Sequence, residues 1–251
     1  MGNDILETLT DKKKLREQGL IIVDTEKILK DLIKSDFKLK CFLCSQEGRK
    51  ITEKYGITEN VIKIKPSLVR KLSDVETNQG FVAVFERPSG NKADFYKEKK
   101  LVLFDTIQDP ANAGAMIRSG VAFGFETYLF LDSVYIFNDK TIRSSAGVCF
   151  TAKYSDVTFN DVKKLKENDF RIITTDPEKG KDVRDVKNGF ADKFVIVFGN
   201  EGKGIRNEIM KISDERIKID YPNKKVESLN VSTAAGILFY EIYNILNGGS
   251  L

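Results

Sequence analysis

The stretch "LVLFDTIQDPANAGAMIRSGVAFGFETYLFLD" (residues 101–132) decides the fold of this chain. Its two ends, "LVLFD" and "TYLFLD", are short, almost continuously apolar runs, the pattern of strands buried on both faces. Between them "NAGAMIRSGVAFG" reads as a helix, with Asp109-Pro110 as the turn before it and Asn112 as its cap. Strand, helix, strand is the repeating unit of a parallel sheet covered by helices.

The alternation extends in both directions. Downstream come helices in "NDKTIRSSAG" and "NDVKKLKEN", then strands "FRIITTD" and "FVIVFGN". A short helix in "GIRNEIMKI", strand "RIKID" and a helix in "VESLNVSTAAGILFYEI" (residues 226–242) complete the series. Upstream, strands "GLIIVD", "KCFLCS", "VIKIK" and "GFVAVFE" interleave with helical segments and describe a smaller α/β domain. The segment "RPSGNKADFYKEKK" (residues 87–100) combines Pro, Gly and charge and reads as a linker. The expected domains are residues 1–92 and 98–251.

Composition narrows the chemistry. No run of about 18 apolar residues occurs, and "MGNDILETLTDKKK" lacks the apolar core of a secretory signal, so a cytoplasmic protein is expected. Cys41 and Cys44 could form a redox pair or half a zinc site, but they sit in an apolar strand-like run with no second pair, and a buried strand is the better reading. There is no histidine. That excludes Ser-His-Asp and Cys-His mechanisms and removes the commonest metal ligand, and no metal is expected. Catalysis must rest on Arg, Lys, carboxylates, hydroxyls or a cofactor. Residues 1–97 hold 19 Lys and Arg against 15 Asp and Glu, while the rest of the chain is neutral. The excess includes Lys12, Lys13, Lys14, Arg16, Lys63, Lys65, Arg70 and Lys71. Such clusters suit a polyanion, although an unbalanced solvated surface gives the same composition.

In parallel sheets ligands bind beyond the carboxyl ends of the strands, and three polar segments fall there. In "DTIQDPANAGAMIRSG" (residues 105–120), Arg118 follows Asn112 by six residues and can reach a phosphate near the helix start. Taken alone it would read as a surface arginine. In "FGNEGKGIRNEI" (residues 198–209), Gly199, Gly202 and Gly204 let main-chain N–H groups approach a ligand. Ile205-Arg206 stands where a Walker loop needs Lys-Ser/Thr, so the segment is not one. Its unusual element is Glu201, set between Gly199 and Gly202. In "ESLNVST" (residues 227–233) several polar side chains occupy a helix start that needs one cap. They are either ordinary loop polarity or residues that serve a bound molecule.

Together the three segments, in this order and spacing, resemble the motifs of the SpoU (TrmH-like) RNA ribose 2′-O-methyltransferases of the SPOUT class. "TIRSSAG" (residues 141–147) is similar to the family's connecting segment, and "KKLREQGLIIVDTEKILKDLI" resembles the small ribosomal-protein-like RNA-binding domain that many members carry. The resemblance implies an α/β fold whose parallel-sheet domain is tied in a trefoil knot. It implies S-adenosylmethionine as cofactor, held by Thr175, Gly199, Gly202, Ile219 and Leu229. Arg118 would stand at the acceptor ribose, with Asn112, Glu201, Ser228 and Asn230 orienting it, the ribose and the subunit contact. It also implies an RNA partner, rRNA ahead of tRNA, and a homodimer through the catalytic domain. The helix "AGILFYEIYNIL" (residues 235–246), apolar around much of its circumference, agrees with the dimer.

Competing readings fare worse. A catalytically inactive RNA-binding protein of the same fold would not need Asn112, Arg118, Glu201 and Asn230 intact. A small-molecule methyltransferase of the Rossmann type needs a glycine-rich turn after its first strand, and "FDTIQDPAN" has none. A scaffold protein would leave three polar clusters at strand ends unexplained.

Overall fold

Continuous apolar strands are stable only where helices cover both faces of the sheet, and that requirement organises the larger part of the chain. The computed structural model describes residues 7–73, 78–87, 94–190, 192–222, 225 and 228–248. Most of the linker (88–93), the start of the chain (1–6), and Val226 and Glu227 of the last motif lie outside the described residues. The chain divides into two units, Met1–Gly90 and Asn91–Leu251.

The first unit runs through a helical turn over residues 7–10 (α1), α2 (Lys12–Glu17), β1 (Leu20–Val23), α3 (Glu26–Leu32) and β2 (Lys38–Cys44). It continues through α4 (Arg49–Tyr55), β3 (Val61–Lys63), α5 (Pro66–Leu72) and β4 (Phe81–Glu86). Its four-stranded sheet has the order β1-β4-β2-β3, with β4 antiparallel to both neighbours and β2 parallel to β3. Leu15 of α2 and Val69 and Leu72 of α5 pack with Leu20, Cys41, Leu43, Val82 and Val84 of the sheet. Cys41 and Cys44 are buried residues of β2, and burial pushes the Cys41 thiol up to about 11, so the strand reading of "CFLC" holds.

The second unit carries a seven-stranded sheet in the order β7-β6-β5-β10-β8-β11-β9, parallel throughout. Its elements are β5 (Lys100–Asp105), α6 (Pro110–Ala122), β6 (Thr127–Leu131), α7 (Asp139–Ser144), β7 (Lys153–Asp156) and α8 (Phe159–Glu167). They continue with β8 (Arg171–Thr175), β9 (Lys181–Asp182), β10 (Phe194–Gly199), α9 (Asn207–Ile212), β11 (Glu215–Lys218) and α10 (Val231–Leu246). On one face Leu101, Leu103, Leu129, Val195 and Val197 pack with Val162 and Leu165 of α8 and Ile209 of α9. On the other, Phe198 meets Phe239 of α10, and the Tyr128 hydroxyl donates to the Ile117 carbonyl of α6 at 3.1 Å. Strands β7 and β9 are additions to the sequence reading. Both are edge strands, and their charged ends (Lys153 and Asp156, Lys181 and Asp182) give no apolar signal.

Candidate functional site

The order β5-β10-β8-β11 sets the carboxyl ends of four neighbouring strands side by side. Gly199 ends β10 opposite Asp105 of β5, and Thr175 ends β8 opposite Ile217 of β11. Ile219 follows β11 directly and is half-buried, as is Leu229 just before α10. Thr175 is also half-buried, its hydroxyl donating to the Val197 carbonyl at 3.0 Å. Thus Thr175, Gly199 and Ile219, separate in sequence, stand at one rim of the sheet.

The turn after β5 is held under strain. Thr106 has φ 57°, a region that β-branched residues rarely enter; such a conformation costs about 1–3 kcal/mol and persists only where the surroundings impose it. Three bonds impose this one. Thr106 N–H donates to the Leu131 carbonyl at 3.0 Å, its hydroxyl donates to the Asp105 carbonyl at 2.7 Å, and its carbonyl accepts from Asn200 Nδ2 at 2.9 Å.

Helix α6 starts differently from the sequence expectation. Asn112 is not its cap. Pro110 occupies the first turn, which makes Asp109 the N-cap, accepting from Ala111 N–H at 2.9 Å. That main-chain bond, helped by Lys140 at 3.2 Å, holds the Asp109 carboxyl below its ordinary range against the effect of desolvation. Asn112 is left free for other work. Its Nδ2 donates to Glu201 Oε1 at 2.8 Å, and its Oδ1 accepts from Asn230 Nδ2 at 3.2 Å. Asn230 is the cap of α10, its Oδ1 accepting from Ser232 N–H at 2.9 Å and Ser232 Oγ at 2.6 Å. One continuous bond path therefore links all three polar segments.

Glu201 reaches Asn112 because residues 199–206 fold as a tight hairpin. Asn200 and Gly204 exchange main-chain bonds of 3.0 and 2.9 Å, and Asn200 Oδ1 accepts from Gly202 N–H and Lys203 N–H, each at 3.0 Å. Gly204 adopts φ +68°, and a Cβ on Gly199 would overlap the Gly204 main chain. The far end of the hairpin is tied by Arg206. Its N–H and Nε donate to the fully buried Asp105 carboxylate at 2.8 and 2.6 Å, and its Nη2 donates to Asp132 at 2.9 Å. Desolvation works against the guanidinium charge, yet Asp132 and Asp105 together raise its pKa.

Sequence reasoning missed Asn200, Arg206, Asp105 and Asp132. Asn two residues before Gly is a turn signal that could have flagged Asn200; nothing local announces a pairing across 101 residues. Arg118 is exposed on α6, and among the described residues it makes no hydrogen bond to Asn112, Glu201 or Asn230. Ser228 is exposed beside Leu229, and Gly202 is exposed at the hairpin tip. The arrangement gathers a carboxylate and two amides beside a rim of uncharged residues, with Arg118 exposed further along the helix that carries Asn112. Among the described residues no acidic or thiol cluster forms a metal site.

The profile of the SpoU rRNA Methylase family matches residues 99–240. The chain is similar to 23S rRNA (guanosine(2553)-2′-O)-methyltransferase RlmP of Bacillus subtilis, 27% identical over 236 residues that cover 93% of this chain and 92% of that one. It is 34% identical to an uncharacterized tRNA/rRNA methyltransferase of Borreliella burgdorferi over 163 residues, 62% of this chain and 70% of that one. Its fold matches the SpoU methyltransferase AviRb from Streptomyces viridochromogenes, solved in complex with AdoMet. The TM-score is 0.86 at 22% identity, covering 99% of this chain and 100% of that one.

Proposed function

The chain belongs to the SpoU rRNA Methylase family, and from that membership we propose that it transfers a methyl group from S-adenosylmethionine to a ribose 2′-hydroxyl of a structured RNA, rRNA ahead of tRNA. The observation that carries this reading is the bond path Glu201–Asn112–Asn230, which closes three polar segments over one rim of a parallel sheet. The residues at that rim fit the cofactor. Ile219 and Leu229 offer half-buried apolar surface for a purine, and Thr175, Gly199 and Gly202 add no charge that would compete with a sulfonium. The bound cofactor supplies an electrophilic methyl group, and the protein's part is positioning and electrostatics. Arg118 binds the phosphate beside the acceptor ribose and stabilises the alkoxide as the 2′-hydroxyl gives its proton to water. Asn112, Glu201, Ser228 and Asn230 orient the ribose and the subunit contact.

The finer architecture belongs to the same proposal. After β11, on the far side of β8, the chain returns to lay α10 beside α6, and Asn230 meets Asn112 in front of β10. A trefoil knot follows if that return passes through the loop preceding it. Residues 98–251 hold the chemistry, and residues 1–92, which carry the basic excess, act as a ribosomal-protein-like domain that selects the RNA. A homodimer forms through α6 and α10, where Tyr240 and Tyr243 are exposed against Phe123. No helix among the described residues is long and apolar enough to cross a membrane, and the proposed site of action is the cytoplasm.

Ribose-methylation mapping of RNA from cells with and without the protein tests the reading, alongside calorimetry with S-adenosylhomocysteine. A lost methylation and a saturable heat are expected. An unchanged map and no heat would overturn it.

A further inference from the structure

We propose that Arg206 is a positioning residue that holds Glu201 against Asn112; this rests on the assignment of the methyl-transfer site above. Glu201 is at the tip of the 199–206 hairpin, and a tip is only as fixed as the two legs beneath it. One leg is tied by Asn200 Nδ2 to the Thr106 carbonyl at 2.9 Å. The other is tied by Arg206, whose N–H and Nε grip the buried Asp105 carboxylate at 2.8 and 2.6 Å. Both legs thus end on adjacent residues of one strand end, Asp105 and Thr106, and α6 with Asn112 leaves from that same strand end. The second arm of the guanidinium reaches Asp132, just past β6, at 2.9 Å. Two carboxylates on two strand ends fix the plane of the fork, which a lysine's single point of charge cannot do. Asp105 also needs a cation because it has no access to water. The side-chain hydrogen bonds of Arg206 go to Asp105 and Asp132. The arginine acts through Glu201.

The test compares Arg206→Lys and Asp132→Asn, each alone and combined with Glu201→Ala, in the full chain. Lysine keeps a cation beside Asp105 but loses the fork. Asp132→Asn weakens the outer arm at an exposed carboxylate and carries the same test should Arg206→Lys not fold. Because a small misplacement in a preorganised site costs up to about 100-fold, Arg206→Lys should lower kcat about tenfold and Asp132→Asn about threefold. KM for S-adenosylmethionine should stay within about twofold in both. Neither substitution should cost more once Glu201 is already alanine, since its route of action is gone. The Asn112 side-chain amide signals, read by NMR without RNA or cofactor, should move in Arg206→Lys toward their positions in Glu201→Ala. Multiplicative losses in the double variants, or unmoved Asn112 signals, would overturn the positioning role. Shifted Asn112 signals in a protein that methylates no RNA would support the positioning role and refute the reaction assignment instead.

Discussion

Asn112 and Glu201 lie 89 residues apart in the chain, and their side chains meet at 2.8 Å. The bond couples the first turn of α6 to the hairpin after β10, so loosening one loosens the other. Both groups are accessible to water, which limits the bond to about 0.5–1.5 kcal/mol of net stability. A double-mutant cycle of Asn112→Ala and Glu201→Ala, followed by urea unfolding, should return a coupling in that range. Strict additivity would mean that the contact contributes nothing in solution.

The residues of this pair were legible as polar side chains at strand ends, but their meeting was not. The strands β5, β6 and β10 show in the sequence because their burial on both faces demands nearly unbroken apolar runs, and β8 shows through its β-branched run over residues 172–175. Strands β7 and β9 do not, because an edge strand tolerates Lys153, Asp156, Lys181 and Asp182. Asn112 read as a cap because Asn caps well; Asp109 takes that place because Pro110 fixes the first helical position. In the sequence Arg206 stands out only as a residue that breaks a Walker pattern. Its partners Asp105 and Asp132 are 101 and 74 residues away, and only the sheet order brings them together.

Gly199 and Gly202 should respond differently to the same change. A Cβ on Gly199 would overlap the Gly204 main chain, which closes the hairpin, whereas the nearest atom to a Cβ on Gly202 is Asn200 Oδ1 at 3.7 Å. Gly199→Ala should cost about 1–3 kcal/mol of stability and weaken S-adenosylhomocysteine binding, because the added Cβ pushes the hairpin away from the rim. Gly202→Ala should stay within about 0.5 kcal/mol. Thermal unfolding and calorimetry on both variants decide this, and equal losses would place the steric limit elsewhere.

Asp182 gives the protein an acid-sensitive tie. Its carboxylate accepts from Arg184 Nε and Nη2 at 2.8 and 2.7 Å and from Asp220 N–H at 3.3 Å, next to Ile219. The Arg184 side chain, against partial desolvation, holds the Asp182 pKa down at about 2. The folded pKa lies below the unfolded one near 3.9, so the stabilisation is complete above about pH 4 and is lost as pH falls through about 2. With Arg184 largely exposed, solvent screens the pair and at most about 1 kcal/mol is expected. Urea unfolding of Asp182→Asn against the parent should show a constant gap from pH 7 to about 4 that closes below it. A gap that persists unchanged at pH 2.5 would assign the stabilisation to packing.

Tyr243 of α10 is 45% exposed and Tyr240 38%, large aromatic residues off the face of the helix that carries the buried Ala235, Leu238, Phe239 and Ile242. Both pack against Phe123 at the end of α6, at centroid distances of 5.9 and 5.7 Å. If this surface is the subunit contact, Tyr240→Lys with Tyr243→Lys places two charges in an apolar interface and should convert a dimer to a monomer at micromolar concentration. Sedimentation or light scattering reads the outcome. A parent protein already monomeric there would end the dimer proposal.

Arg118 stands on α6 six residues beyond Asn112, a rise of about 9 Å along the helix. Six residues also turn it well away from the face on which Asn112 meets Glu201, which agrees with its exposure. A charged side chain held in water, without a structural bond to break, is available to a substrate. Arg118→Ala should therefore leave thermal stability within about 0.5 kcal/mol of the parent and S-adenosylhomocysteine affinity within about twofold. Methyl transfer should fall by about 10²–10³, the usual cost of removing a charge-stabilising donor from a preorganised site. Arg118→Lys should recover little of it, because an ammonium cannot present the planar two-pronged donor to phosphate and alkoxide together. Single-turnover methylation at saturating RNA separates this loss from weakened RNA binding. Near-normal transfer by Arg118→Ala would remove the arginine from the mechanism and leave Glu201, held by Asn112, as the group that meets the acceptor proton.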